Sequence, residues 1–371
     1  MTSKLKLLSA SSGFGLMLAF ASPAYAQNTD ANTLITNNVT VNYQVGGVAQ
    51  TPIAAQDNFR VDRKILFSVA EKTATGTTTV TSGQQDQITA FTIVNSSNDT
   101  LDFSLAATNT ANGTTIGGGR GTDNIDVANF EYAIDTNGNG ILDGAEAFVG
   151  SLTLNDILKG GTVHVLVRSD IPVSANGSVA VVQLAATALN SNGTAITAVT
   201  DATANTADTT SGTFQTIFAE DLTPLQGNAS RNGVSWAWDD YTVSAPVLSV
   251  AKTSRIISDG VSVTNPKAVP GAVVEYCISV ANGAGGATAT SVAISDLVPV
   301  NTTYVAGSIR VNATVTTPGP TQTCSGGTAV TDAADADAGE FGTPTANTAY
   351  GDLTNIAAST ANAMIFRVTL N

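Results

Sequence analysis

The stretch VVEYCISVAN, residues 273–282, sets the fold class of this chain. Its apolar residues alternate, so Val274, Tyr276 and Ile278 fall on one face of a strand, as burial against a core requires. The run follows a Pro-Gly pair and ends in the loop GAGG, and both are turn signals. A short alternating run between two turns indicates β-structure. We therefore expect these three side chains to be buried together.

Similar runs recur along the chain at intervals of roughly 8–15 residues, a spacing typical of strands in a β-sandwich. Each run is short, rich in Val, Ile and Thr, and bounded by Gly, Asn, Asp or Ser. We find no long run with the 3.6-residue apolar period of a helix. The clearest runs are DQITAFTIVNSS (86–97), GTVHVLVRSDIP (161–172), GSVAVVQLAATAL (177–189) and MIFRVTLN (364–371).

The first such run, LITNNVTVNYQV (34–45), predicts a half-buried strand. Val39, Val41, Tyr43 and Val45 alternate with polar residues and share one face. Gly46 and Gly47 follow directly, and such a pair favours a hairpin turn.

Composition agrees with this pattern. Hydrophobic residues make up 43% of the 371 residues, while charged residues make up only 12%, about half the usual share. The sequence therefore predicts an all-β protein of tandem immunoglobulin-like Greek-key β-sandwiches that follow a cleaved signal peptide. We place the signal peptide at 1–26, an N-terminal β-sandwich region at 27–245 with a linker-like stretch at 199–213, and a second sandwich at 246–371.

The first 26 residues have the three parts of a secretory signal peptide. Lys4 and Lys6 precede the short apolar run SGFGLMLAFA (12–21), and Ala24-Tyr25-Ala26 forms a small-x-small cleavage site. Export to the periplasm, cell surface or medium is therefore expected. Loss of the two lysines changes the net charge from −14 to −16. This charge argues against nucleic-acid binding, and no other apolar run has the length of a transmembrane anchor.

The region 247–371 resembles the bacterial conserved repeat domain, also called domain of unknown function 11. The resemblance implies an immunoglobulin-like β-sandwich on exported or envelope proteins, and it implies little about activity. Val298 stands before Pro299 as an extra residue in the D-x-L-P turn, and Ala272 follows Gly271 where the family often has a polar residue. The matching residues are Lys252, Pro270, Gly271, Val274, Tyr276, Asn282, Asp296, Leu297, Pro299, Tyr304, Gly307 and Ser308.

Two cysteines, Cys277 and Cys324, lie in this C-terminal region. In an exported protein the usual state of such a pair is a disulfide, and the alternative is two unpaired thiols. A disulfide requires about 4–7 Å between the two Cα atoms.

The twelve residues DTNGNGILDGAE, 135–146, match the spacing of a calcium loop. Such a loop supplies oxygen ligands from positions 1, 3, 5, 7, 9 and 12, with Gly at position 6. The residues before it alternate as a strand, so the loop would join strands and not the helices of an EF-hand. The alternative is an Asn-Gly turn that needs no ion. The ligands predicted for a structural calcium ion are Asp135, Asn137, Asn139, Ile141 (through its carbonyl), Asp143 and Glu146.

Other polar features favour structural interpretations. His164 lies alone on an alternating strand, and the acidic run 332–340 has no calcium-loop spacing, which indicates a solvated loop. The glycine-rich run GGGRG (117–121) lacks the lysine and the helix of a phosphate loop and is interpreted as flexible. Trp236 and Trp238, two residues apart, fall on one face of a strand, where they pack on a core or form a sugar-stacking platform.

We find no catalytic motif, and we expect no enzyme. The sequence predicts a non-catalytic exported β-sandwich protein with a structural, adhesive or matrix role at the bacterial envelope, stiffened by one calcium loop. Its partners would be other envelope or surface proteins, or glycans. The alternative is an extracellular module that binds glycan or another ligand through Trp236 and Trp238. A hydrolase site assembled from scattered carboxylates also stays open, as do the oligomeric state and the identity of the partner.

Overall fold

The computed structural model describes residues 29–72, 77–116, 120–144, 146–196, 215–219, 231–262 and 264–371. The predicted signal peptide and the predicted linker 199–213 lie outside the described residues. Within the described ranges every regular element is a strand, so the prediction of an all-β fold is confirmed.

The described part of the chain begins with a long β-hairpin that stands apart from the sandwiches. Strands β1 and β4 pair antiparallel from Leu34↔Arg60 to Val41↔Ile53. At the tip, Gly46 and Gly47 have φ of 58° and 81°, as a two-residue hairpin turn requires, so the predicted turn is confirmed. The hairpin strands are β1 (Leu34–Val41), β2 (Gln44–Val45), β3 (Val48–Ala49) and β4 (Ile53–Arg60).

The half-buried strand predicted at 34–45 is wrong in one respect. The strand exists, but Val39, Val41, Tyr43 and Val45 are 43–62% exposed. The alternation predicts a core-facing strand, yet no second sheet among the described residues packs on this ribbon.

The N-terminal sandwich has two main sheets around one core, and strands β5 and β14 form a separate parallel pair. One sheet has the strand order β10-β12-β8-β6, and the other has the order β11-β9-β13-β15-β7, in which β15 and β7 are parallel. Phe67 and Phe103 meet between the sheets with ring centroids 4.9 Å apart. Its strands are β5 (Arg63–Ile65), β6 (Phe67–Glu71), β7 (Thr78–Thr81), β8 (Gln87–Asn95), β9 (Leu101–Asn109), β10 (Ala128–Asp135), β11 (Thr153–Ile157), β12 (Thr162–Asp170), β13 (Val179–Asn190), β14 (Thr216–Phe218) and β15 (Val234–Ser244).

The C-terminal sandwich has a large sheet of order β16-β17-β25-β20-β21, with β19 added on β25 and β22 on β20. It faces a three-stranded sheet of order β18-β24-β23. Its strands are β16 (Leu248–Ser258), β17 (Val273–Asn282), β18 (Val292–Leu297), β19 (Thr302–Tyr304), β20 (Arg310–Thr316), β21 (Thr323–Ser325), β22 (Thr328–Ala329), β23 (Gly339–Phe341), β24 (Thr348–Leu353) and β25 (Ala361–Leu370).

Strand β17 has the predicted register. Val274 and Ile278 are buried, and Tyr276 packs on the same core with its ring 5.2 Å from that of Phe366. The opposite face is also covered, because Cys277 lies in a second small apolar cluster. Strand β17 is therefore covered on both faces, whereas alternation alone predicts one buried face.

The hairpin and the C-terminal sandwich lie at opposite ends of the N-terminal sandwich. At one end, the Ala31 N–H donates to the Asn98 carbonyl, and Lys159 forms an ion pair with Asp30. At the other end, the Asn176 amide donates to the Gly285 carbonyl at 3.2 Å. Strand β8 runs from the second end to the first. The N-terminal sandwich therefore lies between the other two parts.

Candidate functional sites: a polar loop and two charge networks

The loop 135–146 follows β10, and Asp135 organises it. The buried Asp135 carboxylate accepts backbone N–H groups of Gly138 at 2.7 Å, Asn139 at 3.2 Å and Gly140 at 2.7 Å. Both glycines have positive φ, 68° and 77°, which residues with a Cβ rarely adopt. The Asp135 carboxylate at position 1 and Gly140 at position 6 therefore hold the turn in its observed conformation.

The other predicted ligand side chains converge on Asp143. The amides of Asn137 and Asn139 donate to Asp143 Oδ2 at 2.5 and 3.3 Å. Glu146 Oε2 accepts the Asp143 N–H at 2.9 Å, whereas Glu146 Oε1 is buried and has no donor among the described residues. The Ile141 side chain points to solvent. The result is a turn lined by side-chain oxygens, one of which, Glu146 Oε1, has no hydrogen-bond donor among the described residues.

The carboxylates themselves are not gathered around one point. In the part of the chain that the structure describes, no three His, Cys, Asp or Glu side chains form a metal-binding group. Calcium binding would therefore need Asn and carbonyl oxygens and a rotation of Asp143 away from the two amides. The calcium assignment stays a prediction.

The His164 ring packs against this loop. Its Nδ1 lies 3.0 Å from Thr92 Oγ1, and a Cβ added at Gly138 would lie 2.7 Å from its ring. His164 pairs with Asp135 across β10 and β12. This packing agrees with the structural role predicted for it.

Trp236 and Trp238 lie half-buried on the outer face of the β15 sheet. Trp238 packs against Ile116, Val179 and Val181, and its Nε1 donates to Gln183 Oε1 at 3.0 Å. Trp238 thus caps a small apolar cluster. Sugar stacking stays an untested alternative.

A buried charge network that the sequence did not reveal lies inside the N-terminal sandwich. Arg120 donates to Glu71 at 2.5 and 3.0 Å, to Asp239 at 3.2 Å and to Asp240 at 2.7 Å. Arg120 was predicted to belong to a flexible glycine-rich loop. That prediction is wrong for Arg120, which is held by three carboxylates; residues 117–119 lie outside the described part of the chain.

This network holds three carboxylates against one guanidinium. Asp240 is fully buried, and its Oδ2 has no donor among the described residues. Burial, and then the charge of Glu71, raise the pKa of Asp239 to about 7. A proton on Asp239 would reduce the excess negative charge, so the state of this network depends on pH.

The second network crosses three strands of the C-terminal sandwich. Buried Glu275 accepts from Arg255 Nε and from Arg367 Nε, each at 2.9 Å. The three residues are direct partners across β16, β17 and β25. Because each carboxylate oxygen has its own guanidinium, the network ties the sheet together.

The predicted disulfide is present. Cys277 and Cys324 are bonded, with a Cα–Cα distance of 5.6 Å inside the expected range. The bond joins β17 to β21 across the outer face of the sheet. A cavity of about 250 Å³ lies beside it, open to solvent and lined by Arg255, Glu275 and residues 320–324.

Residues that carry the family resemblance also meet in the structure. Lys252 Nζ lies 2.5 Å from Asp296 Oδ2 and 4.7 Å from the centre of the Tyr276 ring. Asn282 donates to the carbonyls of Ala287 and Ile356. These residues hold strands and loops in place.

The acidic run 332–340 makes both long-range and local contacts. Asp332 accepts from the Tyr304 hydroxyl and the Gly307 N–H, and Asp337 accepts from the Thr331 N–H. The first two bonds tie the run to β19 and the segment after it, and the third orders it locally. Through the described ranges, no helix has the length and apolar character needed to cross a membrane.

Comparison with known proteins gives no family. No family model matches the chain, and no curated protein matches it. Among solved structures, the C-terminal domain of the Streptococcus agalactiae AgI/II polypeptide BspA is 10% identical, covers 83% of this chain and 91% of its own, and has a TM-score of 0.33. The T6 backbone pilin of serotype M6 Streptococcus pyogenes is 12% identical over 84% of this chain and 54% of its own, with a TM-score of 0.22. Scores this low identify no common fold, and we draw no function from them.

Proposed function

We propose that this chain is a non-catalytic, exported β-sandwich protein with a structural or adhesive role at the bacterial envelope. The supporting observation is that the hairpin and the C-terminal sandwich attach at opposite ends of the N-terminal sandwich. The charge networks of Arg120 and Glu275 support the same proposal. Each ties separate strands together, as a load-carrying sandwich needs.

The proposal predicts that the chain reaches the outside of the cell. Proteinase K added to intact cells should degrade it while a periplasmic marker stays whole. Protection of the chain in intact cells, with degradation only after the cell envelope is permeabilised, would contradict a surface role.

We further propose that loop 135–146 binds one calcium ion that stiffens the N-terminal sandwich. Support comes from the oxygen-bearing side chains around Asp143 and from the unsatisfied Glu146 Oε1. Asp135, Asn137, Asn139, Asp143, Glu146 and the Ile141 carbonyl would hold the ion. A loop with three carboxylates is expected to bind in the range of extracellular modules, on the order of 0.1–1 mM.

Calorimetric titration of the exported chain with calcium tests this site. Asp135→Ala is a poor probe, because that carboxylate also holds three backbone N–H groups. Glu146→Gln is sharper, since the amide oxygen of Gln can still accept the Asp143 N–H while the charge is lost. We expect at least tenfold weaker binding in Glu146→Gln and unchanged binding in Asp126→Asn, an exposed carboxylate outside the loop. An unchanged heat in Glu146→Gln would place the ion elsewhere.

A further inference from the structure

An open cleft of about 660 Å³ lies on the C-terminal sandwich, close to its junction with the N-terminal sandwich. Strands β17, β20 and β25 line it, together with the loop after β17 and the turn before β25. Gly285, in the same loop after β17, accepts the junction hydrogen bond from Asn176. Ligand sites occur preferentially at domain interfaces, so this position suits a binding site.

The lining of this cleft carries no charge. None of its thirteen residues is Asp, Glu, Lys, Arg or His. Two other cavities among the described residues differ in this respect. The cavity beside the disulfide is lined by Arg255 and Glu275, and a cavity beside β23 is lined by four carboxylates. A charged ligand would find no opposite charge in the cleft, which therefore suits a neutral one.

A β-bulge in β20 sets the position of Asn312 in the cleft. The register with β25 shifts between Arg310 and Ala313, and Asn312 has φ of 56°. Val311 lies in the core between the sheets, whereas Ala313 lies in the apolar cluster around the disulfide. Residues two apart share a face in a regular strand, so the bulge turns the chain at Asn312. Bulges of this kind are common beside active sites, where they re-aim a side chain.

The Asn312 side chain is held so that its donor group is left over. Its Oδ1 accepts from the Thr354 N–H at 2.8 Å, the Thr354 hydroxyl at 3.1 Å and the Asn362 amide at 2.8 Å. Its Nδ2 has no acceptor in the part of the chain that the structure describes. Because three donors fix Oδ1, the NH₂ group is preorganised to donate to a ligand.

Two hydroxyls in the lining also lack a protein partner among the described residues, Thr314 Oγ1 and Ser359 Oγ. Each hydroxyl can both donate and accept a hydrogen bond. Small apolar side chains complete the lining, among them Ala281, Ala284 and Ala361. A sugar ring has the matching chemistry, because its hydroxyls donate and accept and its C–H groups contact methyl groups.

A peptide strand is a poorer occupant. Extended peptides bind by pairing with an exposed sheet edge. Strands β17, β20 and β25 each have a neighbouring strand on both sides. The cleft therefore offers side chains to a ligand and no free strand edge.

We propose that this cleft binds a neutral saccharide. Asn312 Nδ2 donates to a sugar oxygen, and the hydroxyls of Thr314 and Ser359 exchange hydrogen bonds with sugar hydroxyls. The volume lies within the roughly 300–1,000 Å³ of small-molecule sites. The site is separate from the tryptophan face of β15, which belongs to the other sandwich. Binding here requires neither calcium nor surface location, so it is tested independently of the function proposed above.

An array of neutral oligosaccharides, probed with the exported chain, tests the proposal, and calorimetry with the best binder measures its affinity. We expect Asn312→Asp to weaken binding by about tenfold or more, since it removes the NH₂ donor and adds a charge. Asp keeps an oxygen for Thr354 and Asn362 and tolerates positive φ. The matched control is Asn192→Asp, on the N-terminal sandwich, where Oδ1 likewise accepts a backbone N–H, from Thr194. It should bind like the wild type.

Ser359→Gly gives a second, milder test. Ser359 has φ of 61°, which glycine adopts freely, so the change removes the hydroxyl without backbone strain. We expect binding about threefold weaker, with an unchanged Tm to show that the variant is folded. Three results would each overturn the proposal: no neutral glycan bound, equal affinity in Asn312→Asp and wild type, or binding lost only in Trp236→Ala.

Discussion

At the scale of single residues, the charges buried in the two sandwiches hold strands together. Glu275 is neutralised by two arginines on neighbouring strands, whereas Arg120 faces three carboxylates. Arg120 is 13% exposed, and removing one partner of such a buried pair commonly costs about 3–5 kcal/mol, because the other charge stays buried without compensation. Arg255 and Arg367 are 59% and 43% exposed, so each of their pairs contributes less. The networks are therefore sensitive points in the molecule.

Asp239 should make the stability of the N-terminal sandwich depend on pH. Its pKa is raised to about 7 in the folded chain by burial and by Glu71, against 3.8 in the ordinary state. Between about pH 4 and pH 7 the folded chain therefore keeps a proton that the unfolded chain has lost. The stabilisation from this group is full below pH 4 and is lost as pH rises through 7.

We expect Asp239→Asn to flatten this dependence. From pH 5 to pH 8 the wild-type Tm should fall several degrees more than the Tm of the variant, as measured by tryptophan fluorescence. Asp126→Asn, with its exposed side chain, should keep the wild-type slope. Equal slopes in wild type and Asp239→Asn would mean that Asp239 is ionised throughout.

At the scale of elements, the disulfide fixes β17 to β21 over a separation of 47 residues. Closing a loop of this length in the unfolded chain stabilises the fold by about 2–4 kcal/mol. We expect the double variant Cys277→Ser, Cys324→Ser to lower the urea midpoint of the C-terminal sandwich accordingly. The midpoint reported by Trp236 and Trp238 should stay unchanged, because both lie in the N-terminal sandwich. An equal shift of both midpoints would show that the sandwiches unfold together.

At the scale of the whole molecule, the two sandwiches have separate hydrophobic cores. Among the described residues, the hydrogen bonds between them lie at the junction, such as the Ala287 N–H to the Ala245 carbonyl. Units with separate cores and a small junction unfold independently. Urea unfolding should therefore show one transition by tryptophan fluorescence and a further one by far-UV circular dichroism. Coincident transitions by fluorescence and by circular dichroism would contradict independent unfolding of the two sandwiches.

The sequence by itself determined the strands, their turns and the disulfide. Alternation of Val274, Tyr276 and Ile278 is a local property with period two, and Gly46-Gly47 needs only the φ freedom of glycine. The calcium-type loop was also visible in sequence, because its spacing is contained within twelve residues.

Only the tertiary structure decided which faces are covered and which charges meet. The same alternation gives a buried face in β17 and an exposed one in β1, because coverage depends on a distant sheet. Arg120 finds Glu71, Asp239 and Asp240 across separations of 49 to 120 residues. Spacing along the chain carries no signal for such contacts, since they exist only once the sheets have packed.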